Sequence, residues 1–278
     1  NSEKDWGGWC MSEEILINVT PQETRVAVVE NGVLQEVYIE RAHSRGIVGN
    51  IYKGKVVRIL PGMQAAFVDI GHERTAFLHA SDIRLDSSAE NGASSPPPIH
   101  ELLRDGQEVV VQVLKDPIGT KGARLTMQLT LPARYLVFLP YSKHIGISQK
   151  IGDEATRERL RALVKSAMPE GVEEGGYILR TLAEAAAEEE IETDIRYLRR
   201  VWAVCQERIR SAPVLNLIHE DLPLALRAMR DLVRGNVEKI RIDSREIFIT
   251  ARDFGIEFIP EVAERSEHYP GERPIFDL

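Results

Sequence analysis

The two ends of the chain each carry part of a layered fold that neither can complete alone. At the start the pattern predicts three strands with no helix to cover them, and after Pro213 it predicts two helices around one strand. A sheet must bury a face against another layer, so the two ends are expected to pair as one discontinuous α/β domain. The early strands are ILINVT (15–20), TRVAVVE (24–30) and LQEVYIE (34–40), and the late elements are 221–233, 237–243 and 244–254.

Two local signals support these elements. Asn31-Gly32 separates the second and third strands and predicts a two-residue hairpin turn, because both residue types tolerate positive φ. Ser244 stands where a side-chain oxygen would cap the last helix.

The segment between these ends begins with short strands separated by turn signals. Five or so strands within about 80 residues predict a small closed β-barrel. A Ser/Ala/Pro-rich stretch at 84–98 interrupts them and has the composition of a loop. The strand-like stretches are 50–61, two strands within 63–83, 106–116 and 123–131.

The two strands within 63–83 break their own alternation. One parity of each strand is apolar and is expected to face the core, while the other parity carries Phe67 in the first strand and Phe77 in the second. Exposed rings beside basic residues on a small barrel suit single-stranded nucleic acid, because bases stack on rings while Lys and Arg follow phosphates. Cover by a loop or by another domain explains the same rings equally well. The nearby basic residues are Lys53, Lys55, Arg58 and Arg74.

A helical region follows the barrel. Residues 152–168 predict one helix, and a long helix follows the short buried strand YILRT (177–181). The long helix carries one apolar stripe at spacings of three and four: Ile191, Ile195, Leu198, Trp202, Cys205 and Ile209. Its acidic start, Glu184–Glu192, has the character of a solvated helix face, with protein docking as the alternative.

Three further groups invite a functional interpretation. Lys121 lies between Gly119 and Gly122 and could present an anion site, although a solvated loop lysine fits the spacing as well. Arg180 and Thr181 end a buried strand and could hold a phosphate, or Arg180 could pair with a nearby acid such as Glu184. His72 and His79 lack partners at known metal-ligand spacing, so no metal site is predicted from them.

Composition limits the class of protein. The net charge of −8 argues against bulk attraction to nucleic acid, so such a site must be a local basic patch. Two cysteines, Cys10 and Cys205, build no disulfide framework, which suits the reducing cytoplasm. No apolar run approaches the roughly 20 residues of a membrane span, so no membrane partner is expected. Residues 1–10 are set apart as an extension or tag before Met11.

Eight sequence motifs are spread in order over the chain: NVTPQETRVAVVENGVLQEVYIER, RGIVGNIYKGKVVRILPGMQAAFVDIG, AFLHASDI, VLKDPIGTKGARLT, RYLVFLP, GISQKI, YILRT and HYPGERPIFDL. With these motifs the chain resembles the ribonuclease E/G family of bacterial endoribonucleases.

The resemblance implies an α+β multidomain fold. A discontinuous RNase H-like α/β subdomain (11–45 and 213–278) would hold two insertions. These are an OB-fold RNA-binding barrel of the S-one type (46–127) and a small α+β 5′-sensor domain (128–212).

The resemblance also implies roles for individual residues. Phe67 and Phe77 would contact RNA, with Lys121 beside them and Lys53 and Lys55 nearby. Arg180 and Thr181 would recognise a 5′-monophosphate, with Val137 and Ala133 lining the same pocket. The chain departs from one branch of the family at Ala133 and Gln149.

The resemblance implies that the metal sites of the family lie outside the residues of this chain. Magnesium and zinc are implied for a longer parent endoribonuclease that acts in RNA processing and decay, and for none of the residues here. Asp243 and Asp253 lie on different predicted elements, so no catalytic or metal site is predicted. The parent is expected to be a homo-oligomer and this piece a monomer. Two alternatives stay open: a stand-alone OB-fold RNA-binding module without a nuclease parent, and a nuclease with an RNase H-like acidic site.

Overall fold

A computed structural model describes residues 12–84, 97–168, 175–233 and 236–277. The strands of the described residues are β1 Glu13–Val19, β2 Glu23–Glu30, β3 Val33–Arg41, β4 Ile51–Leu60, β5 Ala65–Asp69, β6 Ala76–His79, β7 Glu108–Lys115, β8 Arg124–Thr126, β9 Leu131–Pro132, β10 Leu136–Leu139, β11 Ile145–Ile147, β12 Gly176–Leu179, β13 Asn216–His219, β14 Val237–Ile242 and β15 Ser266–His268. The helices are α1 Ile99–Leu102, α2 Glu154–Ala167, α3 Glu188–Ser211, α4 Leu224–Asp231, α5 Arg245–Phe258 and α6 Pro260–Ala263. Most of the predicted loop at 84–98 lies outside the described residues.

The chain divides into two compact units, and the first joins the two ends of the sequence. Its five strands lie in the order β15-β14-β1-β2-β3, with β14 parallel to β1. The carboxylate of Asp243, directly after β14, accepts hydrogen bonds from Asn18 Nδ2 at 2.6 Å and from the N–H of Val19 at 2.9 Å. Burial therefore pairs the ends as the pattern predicts, because each end supplies a layer that the other lacks.

Local signals fix the edges of this unit. Asn31 and Gly32 both have positive φ, 50° and 78°, and they turn β2 into β3. Ser244 accepts a hydrogen bond from the N–H of Ile247 and caps α5 as predicted. The carboxylate of Asp243 bonds the end of β1, while Asp253 is exposed on α5. These two carboxylates therefore do not form a shared acidic site.

The second unit contains the closed barrel. Its strands follow the order β4-β5-β6-β8-β7, and β7 pairs back with β4 to close the circle. The inward residues of β5 and β6 form the core with those of the other strands, and Val68 and Leu78 are fully buried. Closure removes the free strand edges that an open sheet would expose.

The remainder of the second unit is a four-stranded sheet in the order β11-β12-β10-β9, packed against α2 and α3. The apolar stripe of α3 is buried except for Ile209, which is half-buried. The boundary of the unit lies at 221/222 and not at the predicted 212/213. The reason is β13, which pairs antiparallel with β4 and so belongs with the barrel.

Candidate nucleic-acid interface

Phe67 and Phe77 lie directly opposite each other on neighbouring strands of the barrel. Their ring centroids are 6.4 Å apart with the planes at 70°, an edge-to-face arrangement. Both rings are half-buried, while the inward neighbours Val68 and Leu78 are fully buried. The predicted outward position of both rings is confirmed, and its cause is the two-residue period of a strand.

Two cations of β4 lie beside this pair. Arg58 is the register partner of Phe67, and Lys55 is the partner of Asp69 on the same strand. Both cations are exposed, and within the described part of the chain neither makes an ion pair. Their charges are therefore available to an external anion.

Lys53 lies on the same strand but has a different environment. Its Nζ donates to the carbonyl oxygens of Ala212 at 3.1 Å and Ile209 at 3.4 Å, at the C-terminus of α3. It also lies 3.5 Å from a carboxylate oxygen of Glu108, and its side chain is only 18% exposed. Cations stabilise the negative end of a helix dipole, so the structure commits Lys53 to the end of α3 and not to the predicted basic surface.

Lys121 is presented by a tight turn. Ile118 and Lys121 exchange backbone hydrogen bonds of 3.1 and 3.0 Å around Gly119, whose φ is +56°. A Cβ at Gly122 would lie 1.9 Å from the carbonyl oxygen of Thr75, so glycine alone permits this approach to the start of β6. The Lys121 side chain is exposed and has no ion pair among the described residues.

Arg180 is held by neutral groups. Its Nη1 donates to the carbonyl oxygen of Ala133 at 2.8 Å and contacts that of Arg134 at 3.3 Å. Within the described ranges no carboxylate pairs with it, so the alternative pairing with Glu184 is not what the structure has. The guanidinium therefore keeps its full charge.

Two hydroxyl groups, of Thr181 and Ser148, lie close together beside Arg180. Thr181 opens a short 3-10 helix, and its Oγ1 lies 3.2 Å from Oγ of Ser148. Ser148 is fixed by its N–H, which donates to Leu179, and the exposed Lys150 follows two residues later. No motif in the sequence points to Ser148, because β11 and β12 meet only through the fold.

The two other predicted pocket residues are placed differently. Ala133 is fully buried and takes part through its carbonyl oxygen, which Arg180 holds. Val137 is half-buried and pairs with Ile178 on β12, two residues before Arg180. Gln149 is exposed beside Ser148.

Acidic residues of α3 hold the turn that Arg180 contacts. Buried Asp194 accepts hydrogen bonds from the N–H groups of Tyr135 at 2.6 Å and Leu136 at 3.1 Å. The hydroxyl of Tyr135 donates a 2.6 Å hydrogen bond to Glu190. Burial of this hydroxyl, together with the hydrogen bond, raises the pKa of Tyr135 to about 12. Neither acid is singled out by the sequence: Glu190 lies within the acidic start Glu184–Glu192, and Asp194 lies two residues beyond it.

The two remaining candidates, His72 and His79, each make a hydrogen bond to a neighbouring hydroxyl group. His72 lies 3.0 Å from the hydroxyl of Tyr52, and His79 bonds Ser81. Across the described residues no group of three or more His, Cys, Asp or Glu side chains could hold a metal ion. Of the helices in the described ranges, none has the length and apolar character to cross a membrane.

Comparison with known proteins places these features in context. Residues 130–278 match the model of the ribonuclease E/G family, and residues 47–127 match that of the S1 RNA binding domain. Ribonuclease G of Salmonella typhimurium (strain SL1344) and of Escherichia coli (strain K12) are each 50% identical over 96% of this chain and 55% of their own length. Ribonuclease E of Haemophilus influenzae is 37% identical over 95% of this chain and 28% of its own. The chain thus spans about half the length of the ribonuclease G relatives that it matches.

Proposed function

This chain belongs to the ribonuclease E/G family, and we propose that it is the RNA-binding and 5′-end-sensing part of an endoribonuclease. Its substrate in this proposal is single-stranded RNA that begins with a 5′-monophosphate. The parent protein would act in RNA processing and decay in the cytoplasm, as a homo-oligomer.

The observation that carries the RNA-binding role is the half-buried, outward-facing edge-to-face pair of Phe67 and Phe77, beside cations that make no ion pair within the described residues. Base stacking on such rings contributes about 1–3 kcal/mol per base and tolerates any sequence. Lys55 and Lys121 would follow the phosphates, since neither is neutralised within the described chain. The match of this barrel to the S1 RNA binding domain supports the same role.

The 5′-sensing role is supported by Arg180 and the hydroxyls beside it. A guanidinium held by two carbonyl oxygens is oriented without being neutralised, so its remaining N–H groups can bind a phosphate. Thr181 and Ser148 would donate to phosphate oxygens, and Lys150 adds charge. A monophosphate fits this small set better than the larger triphosphate.

The metals that the family resemblance implies do not fit the described residues. Magnesium requires several oxygen ligands and zinc requires a set of Cys, His or carboxylate ligands, and no such group occurs in the described ranges. The cleavage step is therefore no part of the role proposed for this chain. A barrel without a nuclease parent is disfavoured, because residues 130–278 match the ribonuclease family.

The test compares a short 5′-monophosphorylated RNA with its 5′-hydroxyl twin by fluorescence anisotropy. We expect tighter binding of the phosphorylated RNA and loss of the difference in Arg180→Ala, with Thr181→Val giving a smaller loss. Arg161→Ala serves as a control, because that arginine pairs with Glu154 on α2. Equal affinity for both RNAs in the wild type, unchanged in Arg180→Ala, would remove the sensing role and leave RNA binding by the barrel to be judged separately.

A further inference from the structure

Five outward-facing side chains cross the barrel in register from strand to strand. Arg58 on β4 is opposite Phe67 on β5, and Phe67 is opposite Phe77 on β6. Phe77 is the partner of Arg124 on β8, which is in turn the partner of Lys115 on β7. These five residues are called the belt below.

The order of side chains in the belt suits one continuous RNA segment. The two rings stand in the middle, and cations stand at both ends. Neighbouring strands are about 4.8 Å apart, so four strand spacings give the belt a length of roughly 19 Å. A single strand covers that length with about four to six nucleotides, within the range found for OB-folds.

The cations of the belt differ in how far they are already neutralised. Arg124 donates to Asp82 Oδ2 from Nη2 at 2.9 Å and from Nε at 3.2 Å, which orients it and offsets its charge. Arg58 and Lys115 are exposed and make no ion pair within the described residues. The two ends of the belt therefore carry the charge that an RNA backbone would meet.

We propose that single-stranded RNA runs across the barrel strands along the belt, with Arg58 and Lys115 as the phosphate contacts at its two ends. The stacked bases would lie between them on Phe67 and Phe77, and Arg124 would act as an oriented hydrogen-bond donor. This inference rests on the RNA-binding role proposed above for the barrel.

The test measures the affinity of 5′-hydroxyl oligouridines over a range of salt concentrations, which leaves the 5′-phosphate out. Each phosphate contact contributes about 0.7 to the slope of log K against log salt for a single strand. Arg58→Gln and Lys115→Gln are each expected to weaken binding severalfold and to reduce the slope by about 0.7. The control Lys165→Gln removes an exposed charge from α2, outside the barrel, and should leave the slope unchanged.

Oligomer length gives a second readout. In the wild type the affinity should stop rising steeply at about four to six nucleotides. In a variant that combines Arg58→Gln with Lys115→Gln, it should level off at a shorter length. Suppose that the slopes and the length profile are unchanged in the belt variants while Phe67→Ala binds more weakly. That result would overturn the proposed RNA path along the belt and leave the RNA-binding role of the barrel in place. Unchanged binding by Phe67→Ala as well would overturn the RNA-binding role itself.

Discussion

The carboxylate of Asp194 on α3 accepts the backbone N–H of Tyr135 at 2.6 Å, across 59 positions of sequence. The same oxygen accepts the N–H of Leu136, so one buried acid fixes the turn between β9 and β10. Arg180, directly after β12, donates to the carbonyl oxygens of Ala133 and Arg134 in that turn. The position of the proposed phosphate site therefore depends on an acid that does not touch it.

Replacing this acid should weaken both the fold and the sensing of the RNA end. Asp194→Ala leaves two buried N–H groups without an acceptor, which is expected to lower the free energy of unfolding by about 2–4 kcal/mol. Asp194→Asn keeps an acceptor oxygen and should cost about 1 kcal/mol. Urea unfolding measures both, and an Asp194→Ala protein as stable as the wild type would show that the turn does not need this acid.

The aromatic pair should contribute to RNA binding through its ring faces. Phe67→Ala and Phe77→Ala are each expected to weaken the binding of an unstructured RNA by about 1–3 kcal/mol. Phe67→Tyr and Phe77→Tyr keep the ring and should bind as the wild type does. Anisotropy titrations check this, and equal losses from the alanine and tyrosine variants would argue against stacking.

Lys53 and Lys55 lie two residues apart on one strand and should behave in opposite ways. Lys53→Met removes a cation from the C-terminus of α3 and should lower stability by about 1 kcal/mol, with little change in the salt dependence of RNA binding. Lys55→Met should leave stability unchanged and reduce the salt slope by about 0.7. The reverse pattern would show that Lys53 belongs to the RNA-binding surface of the barrel.

The glycine beside Lys121 should be intolerant of a side chain. Gly122→Ala places a Cβ 1.9 Å from the carbonyl oxygen of Thr75, so the turn must move and carry Lys121 away from β6. We expect a loss of about 1–3 kcal/mol in stability and weaker RNA binding. Gly62→Ala is the control, because nothing lies within 4 Å of its added Cβ. Wild-type stability and affinity in Gly122→Ala would show that this contact is dispensable.

The hydroxyl of Tyr135 should lose its proton at a higher pH than an ordinary tyrosine does. Burial and its hydrogen bond to Glu190 raise its pKa from 10.0 to about 12. The neutral phenol is the form that the folded state favours, so its stabilising contribution is complete below pH 10.0 and is lost as the pH rises toward 12. The phenolate absorbance of the wild type minus that of Tyr135→Phe should appear near pH 12. A difference that appears near pH 10 would contradict the buried, hydrogen-bonded hydroxyl.

Local periodicity determined much of this protein. The parity of β5 and β6 placed Phe67 and Phe77 outward, because alternate residues of a strand must face opposite sides. The Asn31-Gly32 turn was readable because positive φ selects those residue types. Pairing of the two ends followed from the need of each layer for a cover.

Only the tertiary structure decided which polar side chains meet. Lys53 and Lys55 have the same residue type and the same parity. Lys53 binds the end of α3, 159 positions away in sequence, while Lys55 makes no ion pair within the described residues. Asp194 and Ser148 carry no local signal, because their partners come from strands that approach only after folding. The physical reason is that strand and helix faces depend on neighbours a few residues away, while hydrogen-bond partners depend on packing between distant segments.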